Sequence, residues 1–425
     1  HSLGIIGQNA GLAFEQAEGI RLRDSEGKEY IDLASQLVNV NLGHSRKEIV
    51  DAAREQMEKM LFVGTLRGYT NVPSVEYAQK LAKVVPEGLD HFLFTMTGGD
   101  AVDSAFKIAS AYYKAKKERR YKIISLFGSY HGTLRGTGGA TGIGKGVFAE
   151  CPPCGSHIHI PNYFCYRCPF RKEYPSCGIE CAEHLDYVIE NEGKDSVACF
   201  IAEPEQGAGG FISPPPEYFR RVREICDKQG VLFIADEVMT GFGRTGKMWG
   251  IDHGGVKPDI MAMSKGIVAG YLPFGAVAVS TEVFNTLRGQ YFAVGSTESG
   301  NPVCCAVASS VLDIYHKENI VEHADAMGKY FRERLEKDFL PLPHVGSLSG
   351  FGLMIGIDIV VDKETKEMAS QEVASAILQR GFENGLYMRI TTNRLGLSPP
   401  LTITREEIDE SLKRLYPIIA ELKLK

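Results

Sequence analysis

Val231-Leu232-Phe233-Ile234-Ala235-Asp236-Glu237-Val238 is an apolar run closed by two adjacent acids. A short run of branched and aromatic residues with no polar alternation reads as a strand buried on both faces, the kind that parallel sheets contain. A carboxylate at the end of such a strand needs a cationic or hydrogen-bonding partner. Comparable runs stand on either side of it at His91–Thr95, Lys122–Ser125, Val197–Ile201, Ile260–Met263 and Gly275–Ser280. Helical patterns at Asp100–Lys116 and Pro216–Gln229 lie between several of them. This alternation predicts an α/β fold: a mainly parallel sheet with helices on both faces.

The two ends of the chain have a different character. Before residue 61 come β-like residues at Gly19–Leu33, broken by the turn signal Asp24-Ser25-Glu26-Gly27, and an amphipathic pattern at Arg46–Met60; a further helical pattern follows at Pro73–Val84. After about residue 320 come a long helix, a β-like run at Leu348–Val361, a helix near Gln371–Glu383, short strands near Tyr387 and Leu395, and a closing helix from Thr404. The expected organisation is a large α/β domain over 61–320 and a small α+β domain built from 1–60 and 321–425, with a cysteine-rich insertion at 151–181.

With 425 residues, 44% hydrophobic, the chain can bury a sizeable core, and a net charge of -6 gives no bias towards nucleic acid. No apolar stretch approaches the roughly 18 residues of a spanning helix, so no membrane partner is expected. A cytoplasmic location follows by default. The sequence opens on His1 rather than Met, and any residues before it, with any targeting signal, lie outside this reading.

Ligands of open α/β sheets sit beyond the carboxyl ends of the strands, which makes the residues after each run the informative ones. Met96-Thr97-Gly98-Gly99-Asp100 follows the first run and opens a helix, which suits either a phosphate at the helix N-terminus or a plain helix cap. Phe127-Gly128-Ser129-Tyr130-His131-Gly132 sets an aromatic ring and an imidazole at the next strand end, where the ring could stack on a flat ligand or simply pack. Asp236 could pair with a pyridinium nitrogen or cap the following turn. Lys265, between Ser264 and Gly266 after a buried strand, is a candidate for a depressed pKa and imine chemistry.

Taken in order, these segments resemble the class III aminotransferases of pyridoxal-phosphate fold type I, among them the omega-amino acid and amine transaminases. The likeness runs from Gly19–Asp24 through Asn39–His44 to Ser398–Thr404, and its most specific stretch is Asp236–Gly246 followed by Lys257-Pro258-Asp259 and Ser264-Lys265-Gly266. The resemblance implies pyridoxal 5'-phosphate as cofactor, with Gly98, Gly99 and Asp100 on its phosphate, Tyr130 and Val238 on its two faces, Asp236 at the ring nitrogen and Lys265 joined to it as a Schiff base. It also implies that Thr297, in Gly295–Pro302, reaches the phosphate of a neighbouring subunit, hence a homodimer or a dimer of dimers. The implied reaction is ping-pong transfer of an amino group from an amine or omega-amino acid to a keto acid, pyruvate or 2-oxoglutarate. An aminomutase, racemase or decarboxylase on the same scaffold is the alternative. Arg389 would bind the acceptor's carboxylate, with Arg394 as rival, and Glu203 would be the acid that pairs with Arg389 when the donor lacks a carboxylate.

The chain also departs from the family pattern. Val38 stands where many members carry a large aromatic residue, which implies a roomier pocket, and Glu298 follows Thr297 where amine transaminases often carry an aromatic. Of the ten cysteines, Cys151, Cys154, Cys165, Cys168, Cys177 and Cys181 crowd into one stretch. Cys165-x2-Cys168 and Cys177-x3-Cys181 have spacings compatible with structural zinc or an iron–sulfur cluster, although free thiols or a disulfide are the favoured reading. The loop Cys165-Tyr166-Arg167-Cys168-Pro169-Phe170 is similar to loops in taurine–pyruvate and related aminotransferases.

Overall fold

The computed structural model describes residues 13–66, 68–144, 156–391 and 393–424. Cys151 and Cys154 lie outside them. Its large sheet has 7 strands in the order His91–Thr95, Gly275–Val279, Ile260–Met263, Leu232–Asp236, Val197–Ala202, Lys122–Leu126 and His157–Ile160. All run the same way except Gly275–Val279, which is antiparallel to both neighbours.

The sheet is covered on both faces, and period-two alternation assigns its residues to them. Ile201, Ile234 and Val277 pack with Ala101, Ala105, Phe106 and Ala109 of the helix Gly98–Ala115. Phe200, Phe233 and Met261 point the other way, to a core that includes Phe219, Val222 and Ile225 of the helix Tyr218–Gln229. Full burial of each such side chain contributes about 1.5–3 kcal/mol, and it accounts for the uninterrupted apolar runs.

The strand His157–Ile160 is not signalled by the sequence, because its isoleucines alternate with His157 and His159 rather than forming an apolar run. It belongs to the large sheet, so the stretch taken as a cysteine-rich insertion from 151 to 181 is not inserted throughout: residues 157–160 are part of the main scaffold. The run Leu348–Val361, which reads as a single element, is a hairpin of Val345–Phe351 and Met354–Asp362. It reverses at Gly352, where φ is +53° and an added Cβ would lie 2.4 Å from the backbone nitrogen of Gly246.

Two smaller sheets complete the structure. Leu386–Tyr387 pairs in parallel with Glu29–Asp32, bringing the two ends of the chain into one sheet. The other is antiparallel and places Met354–Asp362 beside Arg394–Leu397, with Arg389–Thr391 at its edge. Arg244, fully buried, ties these parts to the large sheet: it donates to the Leu353 and Pro399 carbonyls, at 3.0 and 2.6 Å, and to Asn41 Oδ1 and Ser35 Oγ, at 3.0 and 3.2 Å. No helix of the described residues is long and apolar enough to cross a membrane.

Candidate active site

The parallel strands deliver chemically distinct residues to one cavity of about 350 Å³, lined by Gly98, Gly99, Tyr130, Glu203, Asp236 and Lys265 among others. Gly98 opens the 18-residue helix at the end of the first strand. A Cβ there would come within 2.6 Å of Val238 Cγ1, so only glycine lets Val238 close down on the helix N-terminus. Thr97 Oγ1 accepts from Asp100 N at 3.2 Å as the helix cap. Asp100 itself turns away from the cavity: its carboxylate accepts from Met96 N at 3.0 Å and holds the glycine turn from behind.

Asp236 is buried and receives Val238 N on Oδ1 at 3.1 Å and His131 Nδ1 on Oδ2 at 2.7 Å. His131 is the residue whose role the sequence leaves unassigned, although the imidazole beside Tyr130 was its signal. Its backbone N–H donates to Thr141 Oγ1 at 3.0 Å, which fixes the ring's approach. Glu237, the other acid of the pair, serves a different purpose: it accepts from Gly250 N, Ile251 N and Thr240 Oγ1 and anchors the following loop.

Lys265 occupies a left-handed backbone conformation, φ +45°, which is strained for a side-chain-bearing residue and typical of functional sites. Burial draws its ammonium from the ordinary 10.5 down to about 8; Asp236 opposes the shift and Arg389 adds to it. Glu203 moves the other way, its carboxyl pushed up to about 7 by burial, although it accepts from Tyr130 N at 2.9 Å and Gly207 N at 2.8 Å.

The remaining predicted residues do not line the cavity. Val38 is buried with Phe211, Met239 and Met354, and reaches the cavity only through Met239, which does line it. Arg389 is largely buried and donates through Nε to Thr391 Oγ1 at 3.1 Å. Among the described residues no ion pair joins it to Glu203, whose oxygens are taken up by the Tyr130 and Gly207 amides. Arg394, the rival for a substrate carboxylate, is engaged elsewhere: it is 1% exposed and paired with Asp358 at 3.1 Å. Thr297 is exposed and does not line this cavity, and Glu298 accepts from the Asn301 side chain at 2.9 Å.

Among the described residues no group of three or more His, Cys, Asp or Glu side chains is arranged to hold a metal ion. Cys165, Cys168, Cys177 and Cys181 are not joined in disulfides and line one small cavity of about 20 Å³.

A family model described as aminotransferase class-III matches residues 6–419. The chain belongs to the class III aminotransferases. Similar proteins include the leucine/methionine racemase of Thermococcus litoralis, 38% identical with 96% of this chain and 90% of that protein covered. The putrescine–pyruvate aminotransferase of Pseudomonas aeruginosa is 36% identical, with 93% and 87% covered. The crystal structure of an (S)-enantioselective omega-transaminase from Thermomicrobium roseum superposes with a TM-score of 0.93 at 37% identity, covering 99% of this chain and 95% of that one. This class III aminotransferase is a pyridoxal-phosphate enzyme that moves an amino group from an amine or omega-amino acid donor to a keto-acid acceptor.

The residues present fit that cofactor. A helix N-terminus with paired glycines suits its phosphate, a buried carboxylate suits its ring nitrogen, and a buried lysine of depressed pKa suits its aldehyde.

Proposed function

We propose that the enzyme takes the amino group from a donor whose amine need not be alpha to a carboxylate and delivers it to pyruvate or 2-oxoglutarate, using the following residues. Gly98 and Gly99 N–H groups would hold the phosphate, with Asp100 bracing their turn, and Tyr130 and Val238 would enclose the ring. Pyridoxal phosphate, when bound, supplies an aldehyde and an electron-withdrawing ring. Asp236, oriented by His131, holds a proton at the ring nitrogen. The neutral amine of Lys265 takes the proton from the amine-bearing carbon of the donor and returns it on the way to product. Arg389 receives the acceptor's carboxylate with a two-pronged hydrogen bond.

The observation that carries this reading is the pairing, in one cavity, of a buried Asp236–His131 couple with a lysine drawn down to about 8. Replacement of Lys265 by Ala tests it: turnover and the lysine-dependent absorbance of the bound cofactor should both vanish while the fold survives, and an active variant would sink the assignment. A donor panel including putrescine and gamma-aminobutyrate, the substrates named for relatives, sorts the donor class.

A racemase at 38% identity gives the alternative reading a specific basis. A transaminase releases a keto product from the donor, whereas a racemase inverts it with none released. Detection of that product decides between them.

The working form is a homodimer, or a dimer of dimers, in which Thr297 of one subunit reaches its neighbour's phosphate. Exposed Leu61, Phe62, Leu66, Tyr69 and Tyr291 supply apolar surface for such an interface. Light scattering measures the assembly, and a monomer with full activity would remove Thr297 from the site. The eight free thiols among the described cysteines suit the reducing cytoplasm, where we place the enzyme.

A further inference from the structure

The turn Cys165-Tyr166-Arg167-Cys168 lies outside the catalytic cavity, yet it and the residues just before it are bonded both to Glu203, which lines the cavity, and to Asp358 of the small antiparallel sheet. Just before it, Tyr163 OH donates to the backbone carbonyl of Glu203 at 2.9 Å, and Asn162 Nδ2 donates to Gln206 Oε1 at 2.9 Å. Within it, Arg167 Nη2 donates to Asp358 Oδ1 at 3.1 Å. Asp358 is fully buried on the strand Met354–Asp362, and its other oxygen pairs with Arg394 at 3.1 Å and accepts from Ser347. A single carboxylate thus faces two guanidiniums, one at each oxygen. Phe164 lies beneath both, 4.6 Å from Arg394 and 5.0 Å from Arg167.

From Arg394 the contacts continue to Arg389. Arg394 is opposite Thr391 in the antiparallel register, and Thr391 Oγ1 accepts from Arg389 Nε at 3.1 Å. Arg389–Thr391 is a three-residue strand at the sheet edge, hydrogen bonded in the sheet to Arg394–Leu397. Resting on the assignment of Arg389 to the acceptor's carboxylate, we propose that Arg167 is a positioning residue for acceptor recognition, acting through Asp358 and Arg394 to set the edge strand that presents Arg389.

A buried acid shared by two arginines, hydrogen bonded to Arg167 and ion-paired with Arg394, suits this task because charges that share one buried partner depend on one another. Arg167 is the accessible member, with a side chain 25% exposed, so its replacement leaves the buried Arg394–Asp358 pair in place. That makes it the position at which coupling can be tested without stranding a buried charge.

The experiment compares Arg167→Ala, Arg167→Lys, Arg389→Ala and the double variant Arg167→Ala/Arg389→Ala in separate half-reactions of the holoenzyme. It adds calorimetric titration of the apoprotein with propanoate, an unreactive carboxylate. For Arg167→Ala the expected result is a keto-acid KM and a propanoate Kd each raised roughly 3- to 10-fold, as for members of one bonded network. Parameters for a carboxylate-free amine donor should stay within about twofold, Arg167→Lys should recover part of the loss, and the double variant should be no worse than Arg389→Ala alone. A lowered melting temperature with an unchanged keto-acid KM, an equal loss in both half-reactions, or additive effects in the double variant would each overturn the proposal. If Arg389→Ala leaves the acceptor unaffected, the assignment of Arg389 fails instead, and the coupling falls with it.

Discussion

His131 Nδ1 stands 2.7 Å from Asp236 Oδ2, both side chains buried, with Val238 N on the other oxygen of the same carboxylate. The acid is therefore held in one rotamer and one plane by the protein's own bonds, which is the condition for electrostatic help without reorganisation.

Asp236→Asn keeps that shape and removes the charge. The rate of amino transfer should fall roughly 10²- to 10³-fold, the range for losing one preorganised electrostatic contact, while some cofactor stays bound. A near-normal rate would show that another group protonates the ring nitrogen. His131→Ala should cost less, about 10-fold, as when an orienting partner is lost behind a ligand.

Lys265 must be neutral to condense with an aldehyde, so uptake of pyridoxal phosphate by the apoprotein should accelerate with pH around a midpoint near 8. Glu203 holds that value up and Arg389 presses it down. Glu203→Gln should accordingly lower the midpoint and Arg389→Ala should raise it; stopped-flow absorbance reads both, and a midpoint near 10 in the parent protein would contradict the burial of the amine.

The same groups make apoprotein stability depend on pH in opposite senses. Folded Glu203 keeps its proton to about 7 whereas the unfolded chain releases it near 4.5, so its contribution is full below 4.5 and is lost as pH rises towards 7. Lys265 binds its proton less tightly folded than unfolded, so its burial penalty is full below about 8 and is relieved as pH climbs to 10.5. Melting temperatures of Glu203→Gln should decline less between pH 4.5 and 7 than those of the parent, and parallel profiles would refute the assignment.

For Arg389→Ala, the keto-acid half-reaction should weaken by roughly 1.5–3 kcal/mol, the range for a hydrogen bond to a charged group, with a carboxylate-free donor affected less. Single-turnover kinetics of each half-reaction measure it, and equal losses in both would remove Arg389 from the substrate site.

Iodoacetamide should label Cys165 before Cys181. Cys165 is exposed, although burial of part of its surroundings and the neighbouring Cys168 and Cys177 raise its pKa, whereas burial pushes Cys181 up to about 12. Protection of Cys165 that a chelator relieves would reveal a metal after all, and protection that only a reductant relieves would reveal a disulfide.

Asp236 and Lys265 were legible as candidates because each ends or follows a fully buried strand, where an ionisable group has no bland explanation. The Gly98-Gly99 turn was legible as a turn, but the opposed direction of Asp100 was not, since glycine spacing carries no side-chain orientation. Arg394 and Arg389 could not be told apart by spacing along a sequence, because the difference between them is the hairpin register that aims one at Asp358. The strand His157–Ile160 was hidden by its histidines, and the partnership of His131 with Asp236 spans 105 positions that no local pattern connects.

Arg244 follows the loop that carries Val238 and Met239, and it is bonded to Ser35, Asn41, Leu353 and Pro399. During synthesis the first of these partners emerges long before the last. The loop that walls the cavity therefore lacks its anchor until the chain has been made past Pro399, and the cofactor meets a finished pocket only in a nearly completed polypeptide, however early the large sheet assembles.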